Sequence, residues 1–135
     1  MEISDDDHCF VCGAMNRIGL RVRPTIDAAR QSASCSLAIP KEFQGWEGIV
    51  HGGILATLLD ETCAYAARGL VEHVVTAEIT VSYKKPVPLA TELLVTATVV
   101  SQRRKIIEVK GRIEIGGEIY VEARAKMFIV EQESS

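Results

Sequence analysis

The sequence has no run of about 18 apolar residues, the length that a membrane-crossing helix requires. It has no basic excess either. Fifteen Lys and Arg stand against 18 Asp and Glu, a formal net charge of −3 with a pI near 5.6, which excludes the electrostatic footprint of a nucleic-acid-binding surface. The opening stretch, residues 1–8, is acidic and lacks the basic and apolar regions of a secretion signal, so the expected compartment is the cytoplasm. The four cysteines are then expected to be reduced thiols. Internal repeats and low-complexity segments are missing. So are a phosphate-cradling P-loop, a dinucleotide fingerprint and a Gly-x-Ser-x-Gly elbow, which argues against a nucleotide cofactor and a Ser-His-Asp hydrolase; no cofactor is expected.

What is present fits one domain over residues 1–135, with residues 1–19 as an N-terminal loop segment. A chain of this length buries roughly 65–70% of its unfolded surface, enough for a core without covalent staples. The organising stretch is Gly45-Trp46-Glu47-Gly48-Ile49-Val50-His51-Gly52-Gly53, a glycine-rich turn running into an apolar segment. From Ile54 the apolar positions Ile54, Leu55, Leu58, Leu59 and Cys63 recur at three- and four-residue steps, which predicts a helix over 51–68 with Gly69 as its stop. Alanines 56, 64, 66 and 67 fill the other faces, so the helix is expected to be mostly buried. Asp60 then stands out, a carboxylate mid-helix whose same-face neighbours Ala56, Thr57, Cys63 and Ala64 are all small.

Strand patterns surround this helix. Residues 20–26 and 31–39 read as two strands joined by a turn at 27–30, the second with Ala33, Cys35, Leu37 and Ile39 on one face. Residues 76–84 alternate Ala77, Ile79, Val81 and Tyr83 against Thr76, Glu78, Thr80, Ser82 and Lys84. Residues 93–100 are apolar or threonine throughout, as in a central strand. Residues 107–115 and 119–129 alternate on either side of a Gly116-Gly117 hairpin, and 131–135 is a polar tail. Two strands, one long helix and four strands give an α+β layout, a sheet of about six antiparallel strands wrapped on a single helix. One helix leaves strand 76–84 and the small-residue helix face poorly covered, so a homodimer is expected.

Cys9-Phe10-Val11-Cys12-Gly13 is a C-x-x-C motif. Structural zinc takes four ligands, and only His8 lies near in sequence while Cys35 and Cys63 fall in separate elements. No helical pattern follows, as a thioredoxin-type site needs. The motif reads first as a structural loop, with metal and redox chemistry open.

The string Gly48-x-x-His51-Gly52-Gly53, then Leu58-Leu59-Asp60-Glu61, then Thr76-x-Glu78-Ile79-x-Val81-x-Tyr83-x-x-Pro86-Val87-Pro88, resembles the hotdog-fold acyl-CoA thioesterases. It is most similar to the branch with the phenylacetate-pathway and 4-hydroxybenzoyl-CoA thioesterases, over about residues 18–130. The Cys9 to Leu20 opening is similar to that of members of this branch. The resemblance implies a hotdog fold, an acyl-CoA substrate, hydrolysis to free acid and CoA, and a homodimer or dimer of dimers.

It also implies roles. Asp60 is the expected general base or nucleophile, with a buried interfacial carboxylate as the alternative. The Gly52 N–H is expected to polarise the thioester carbonyl, as an unpaired helix-start amide at the positive end of the helix dipole is able to do; the alternative is a glycine that only permits a tight turn. His51 orients the carbonyl or merely opens the helix. Thr76 holds the water or the carboxylate, or is simply the first residue of a strand. Gly53, Trp46 and Glu61 are candidate substrate contacts, Glu61 also reading as a structural acid, and Lys84, Arg103 and Arg104 are candidate phosphate contacts. Asn or Gln often precedes His-Gly-Gly in the family, and Gln44, Trp46 and Glu47 offer no clean match. A hotdog dehydratase or hydratase using His51 with Asp60, and a non-catalytic acyl-CoA-binding module, are the competing functions.

Overall fold

A computed structural model describes residues 1–131. The elements are β1 (Thr25–Asp27), β2 (Ser32–Ala38), a 3₁₀ turn (Lys41–Phe43), α1 (Gly52–Arg68), β3 (Val74–Tyr83), β4 (Glu92–Arg103), β5 (Ile106–Ile115) and β6 (Glu118–Ile129). The strands form one antiparallel sheet in the order β1-β2-β4-β5-β6-β3, and α1 lies across it. This is the hotdog arrangement.

The reasons are local. Alternation on β5 and β6 sends Ile107, Val109, Ile113, Val121, Ala125 and Met127 under the helix, where each is essentially inaccessible. Gly116 and Gly117 both hold positive φ, 58° and 84°, and close the hairpin between them. Along α1 the buried set is Leu55, Leu58, Leu59, Thr62, Cys63, Tyr65, Ala66 and Ala67. These residues contribute to two apolar clusters, one under each half of the helix.

Three expectations change. The strand expected over 20–26 shrinks to Thr25–Asp27, because the backbone of Leu20 and Val22 bonds to Phe10 and Val11 of the N-terminal loop instead of to the sheet. The run at 93–100 is the middle of a longer strand, β4, covered on one face only: Leu93, Val95 and Ala97 are buried while Leu94 is 39% exposed. In β3 the expected alternation breaks, since the register with β6 slips between Thr76 and Glu78. The extra residue, Ala77, turns Thr76 onto the helix-facing side with Ile79 and Val81. The polar tail falls largely outside the described residues.

Candidate active site

The helix start is built by its own sequence. His51 is the N-cap, with extended backbone (φ −60°, ψ 133°), and its Nδ1 accepts the Gly53 N–H at 2.9 Å. That bond assigns the neutral ring proton to Nε2. The His51 carbonyl takes the N–H groups of Ile54 and Leu55. Gly52 is left as the unsatisfied position: its N–H has no hydrogen-bond partner among the described residues, while its carbonyl accepts the Tyr83 hydroxyl at 2.7 Å.

Beside this amide lies a cavity of about 790 Å³, walled by Ile49, Val50, His51, Gly52, Leu55, Tyr83 and Val87. Trp46, 86% exposed, and the Lys84–Lys85 pair stand at its edge. Gly48, with φ 79°, makes the turn that brings the glycine-rich segment back against Leu89. Lys84 pairs with Glu122 at 4.0 Å and Lys85 with Glu118.

Asp60 sits eight residues on, half-buried. Its Oδ1 accepts the Thr76 hydroxyl at 2.5 Å, and among the described residues it forms no ion pair. Oδ2 carries no hydrogen bond from the described residues. Eight residues at 1.5 Å rise separate Gly52 from Asp60 by about 12 Å along the helix axis, so the two do not share a wall within one chain. Asp60 does not line the cavity beside Gly52.

Glu61 goes elsewhere. Its carboxylate lies against the N-terminal loop, within 4.8 Å of both Cys9 Sγ and Cys12 Sγ. Burial is the main cause holding it above the usual carboxylate range. Burial likewise pushes Cys12 up to about 11 and Cys63, one turn past Asp60, up to about 12. These groups are neutral thiols at pH 7. Arg103 and Arg104 stand exposed at the β4–β5 turn. The register Thr76–Met127–Ile107–Gln102 puts that turn at the Asp60 end of the sheet, away from the Gly52 cavity. Gly53 donates to His51, and its carbonyl accepts the Thr57 hydroxyl at 2.9 Å.

Sequence reasoning set Tyr83 on the apolar face of its strand, to line an acyl slot or pack the core, and missed that its hydroxyl anchors the first helical carbonyl. Its place before Lys84-Lys85-Pro86, at the end of the edge strand, was the available signal.

Comparisons with known proteins agree with this architecture. Residues 47–122 match the thioesterase superfamily. The acyl-coenzyme A thioesterase THEM4 of Rattus norvegicus is 42% identical over 67 residues, which cover 47% of this chain and 26% of that protein; the match spans about a quarter of the relative. Among solved structures, a thioesterase superfamily protein aligns over 92% of this chain and 61% of its own, with 26% identity and a TM-score of 0.83. The phenylacetic acid degradation-related protein of Ralstonia eutropha JMP134 shares the fold at 22% identity and a TM-score of 0.72, over 80% of this chain and 83% of its own. Since that superfamily match runs over more than half of the sequence, the chain belongs to the thioesterase superfamily.

Proposed function

We propose that this protein hydrolyses acyl-CoA thioesters to the free acid and CoA, at a site that two copies of the chain complete. The observation that carries the reading is the Gly52 N–H, a helix-start amide without a partner in the wall of a largely apolar cavity. A thioester oxygen placed there gains charge as the carbonyl carbon becomes tetrahedral. A preorganised donor of this kind is worth roughly 3–4 kcal/mol to that step. The THEM4 relative is named an acyl-coenzyme A thioesterase, which supports the same substrate class.

Asp60 supplies the second half. The Thr76 hydroxyl occupies Oδ1, leaving Oδ2 to accept a proton from water. The hydroxide oxygen then bonds to the carbonyl carbon, the oxyanion rests on Gly52, and its collapse breaks the C–S bond. CoA leaves as thiolate and takes up the proton that Asp60 holds. As nucleophile, Asp60 would instead form a mixed anhydride that water hydrolyses.

Because about 12 Å of helix separates Gly52 from Asp60, one chain does not bring both to one carbonyl. An isologous dimer does, setting the helix start of one copy opposite Asp60 of the other. Lys84, at the cavity edge, is the candidate for a CoA phosphate, and Arg103 and Arg104 stand at the Asp60 end of the sheet, where a partner's cavity would open.

Thiol release from a panel of acyl-CoAs, followed with a thiol reagent, tests the reading. Asp60→Asn is expected to lower kcat by about 10²–10⁴-fold with the fold and assembly intact, the range of a positioned base. Thr76→Val is expected to lower kcat less, and Thr76→Ser to restore it. Unchanged turnover in Asp60→Asn removes that residue from the chemistry. Acyl-CoA binding without thiol release makes the protein a binding module.

A further inference from the structure

The N-terminal motif remains outside this chemistry, and the structure gives it a third member that spacing alone did not show. Cys9 Sγ, Cys12 Sγ and a Glu61 carboxylate oxygen all lie within 4.8 Å of one another, with Cys9 Sγ 3.8 Å from Glu61 Oε2. His8, the neighbour that sequence offered, is engaged elsewhere, its Nδ1 2.9 Å from the Asp6 carbonyl.

The loop has the build of a ligand knuckle. The Val11 N–H points at Cys9 Sγ at 3.4 Å, a contact that strengthens when the sulfur carries negative charge. The Gly13 N–H returns to the Cys9 carbonyl at 2.8 Å, and a Cβ at Gly13 would stand 2.5 Å from the Cys9 nitrogen, so only glycine allows this tight return. Glu61 faces the two thiols as a half-buried carboxylate that makes no ion pair among the described residues. Arg68, on the next turns of the helix, has its guanidinium 4.8 Å over the Tyr65 ring.

We propose that Cys9, Cys12 and Glu61 bind one thiophilic divalent cation of the zinc class, which ties the N-terminal loop to α1 one residue beyond Asp60. Tetrahedral zinc, with bonds of about 2.3 Å to sulfur and 2.0–2.2 Å to oxygen, sets ligand atoms about 3.5–3.8 Å apart, so the widest gap here closes by about 1 Å. Binding releases two thiol protons to solvent, and two thiolates and one carboxylate then surround the dication. Water fills the fourth position. The soft sulfur pair favours zinc over magnesium or calcium. The ion bridges Glu61 to the loop on which Leu20 and Val22 are hung and offsets two of the three negative charges gathered there.

The test is titration of the reduced, metal-free full chain with Co²⁺. One equivalent is expected to give thiolate-to-cobalt charge-transfer absorption and tetrahedral d–d bands, both displaced by Zn²⁺, with a rise in Tm. Ellman's reagent is expected to find two thiols protected by the metal. Cys9→Ser and Cys12→Ser are each expected to weaken binding and reduce the charge-transfer intensity, and Glu61→Gln to weaken binding by about tenfold or more. Cys35→Ser is expected to change none of these.

Absence of charge transfer and of a Zn²⁺-dependent Tm rise in the unmutated chain overturns the proposal, as does a signal that survives the double Cys9→Ser, Cys12→Ser change. Should the serine variants fail to fold, the titration of the unmutated chain decides alone. None of these readouts uses thioester turnover, so the site and the proposed catalysis fail or hold separately.

Discussion

His51 is both the residue that starts α1 and a wall of the candidate site, and its bond to Gly53 N–H explains why the two roles coincide. A cap that satisfies the second helical amide leaves the first, Gly52, as the exposed donor. Replacing His51 by Ala removes the cap and is expected to lower stability by about 1 kcal/mol, while Asn, itself a strong cap, keeps it. Thermal unfolding of the two variants reads this out, with a drop in Tm of a few degrees for Ala alone. Equal Tm values would show that the ring does not hold the helix start. The capping role is legible in sequence only as far as a boundary: the helix was expected over 51–68, while the hydrogen bond that fixes the ring's tautomer needed coordinates.

At the scale of the elements, α1 packs directly on β5 at Gly111. A Cβ on Gly111 would lie 3.1 Å from Cys63 Sγ and 3.2 Å from Leu59 Cδ2, so the helix rests directly on the strand backbone there. Gly111→Val inserts a branched side chain into that gap and is expected to cost about 1–3 kcal/mol, with a matching fall in Tm. Leu59 and Cys63 flank Asp60 along the helix, so the lifted helix is also expected to lower thioester turnover. An unchanged Tm would mean that the packing between helix and sheet is looser than these distances state.

The same scale shows where periodicity stops being informative. Alternation assigned the inner faces of β2 and of the stretches 107–113 and 121–127 correctly, since the β5–β6 ladder runs there without a shift and keeps a strict period of two; beyond the shift between Ile113 and Glu114, Tyr120 packs on the core instead of facing outward. It placed Thr76 on the wet face of β3, because a bulge changes the count by one and nothing in Val-Thr-Ala-Glu signals it. The hydroxyl's position beside Asp60 came from the family resemblance; the alternation opposed it. The Cys9–Cys12–Glu61 grouping was hidden for a different reason. A search by metal-ligand spacing looks for cysteine and histidine in sequence proximity, and the third group comes from a helix 49 residues beyond Cys12.

The whole molecule is shaped around what one chain leaves open. Among the described residues β3 is a ten-residue edge strand paired only with β6, with Thr76 to Glu78 and Thr80 exposed along it. An edge of that length invites pairing with another chain. If two copies share each site, Gly52 from one and Asp60 from the other, then chains disabled in different halves repair each other. Asp60→Asn leaves the Gly52 amide intact, and Gly52→Val obstructs the cavity at the helix start while leaving Asp60 intact. Unfolded and refolded together in equal amounts, half of the dimers are mixed, and each mixed dimer carries one site assembled from two unaltered halves. Turnover of the mixture is then expected at about one quarter of the unmutated level, although each variant alone is nearly inactive. A mixture as inactive as its components would place both groups within one chain's site, against the 12 Å or so that the helix puts between them.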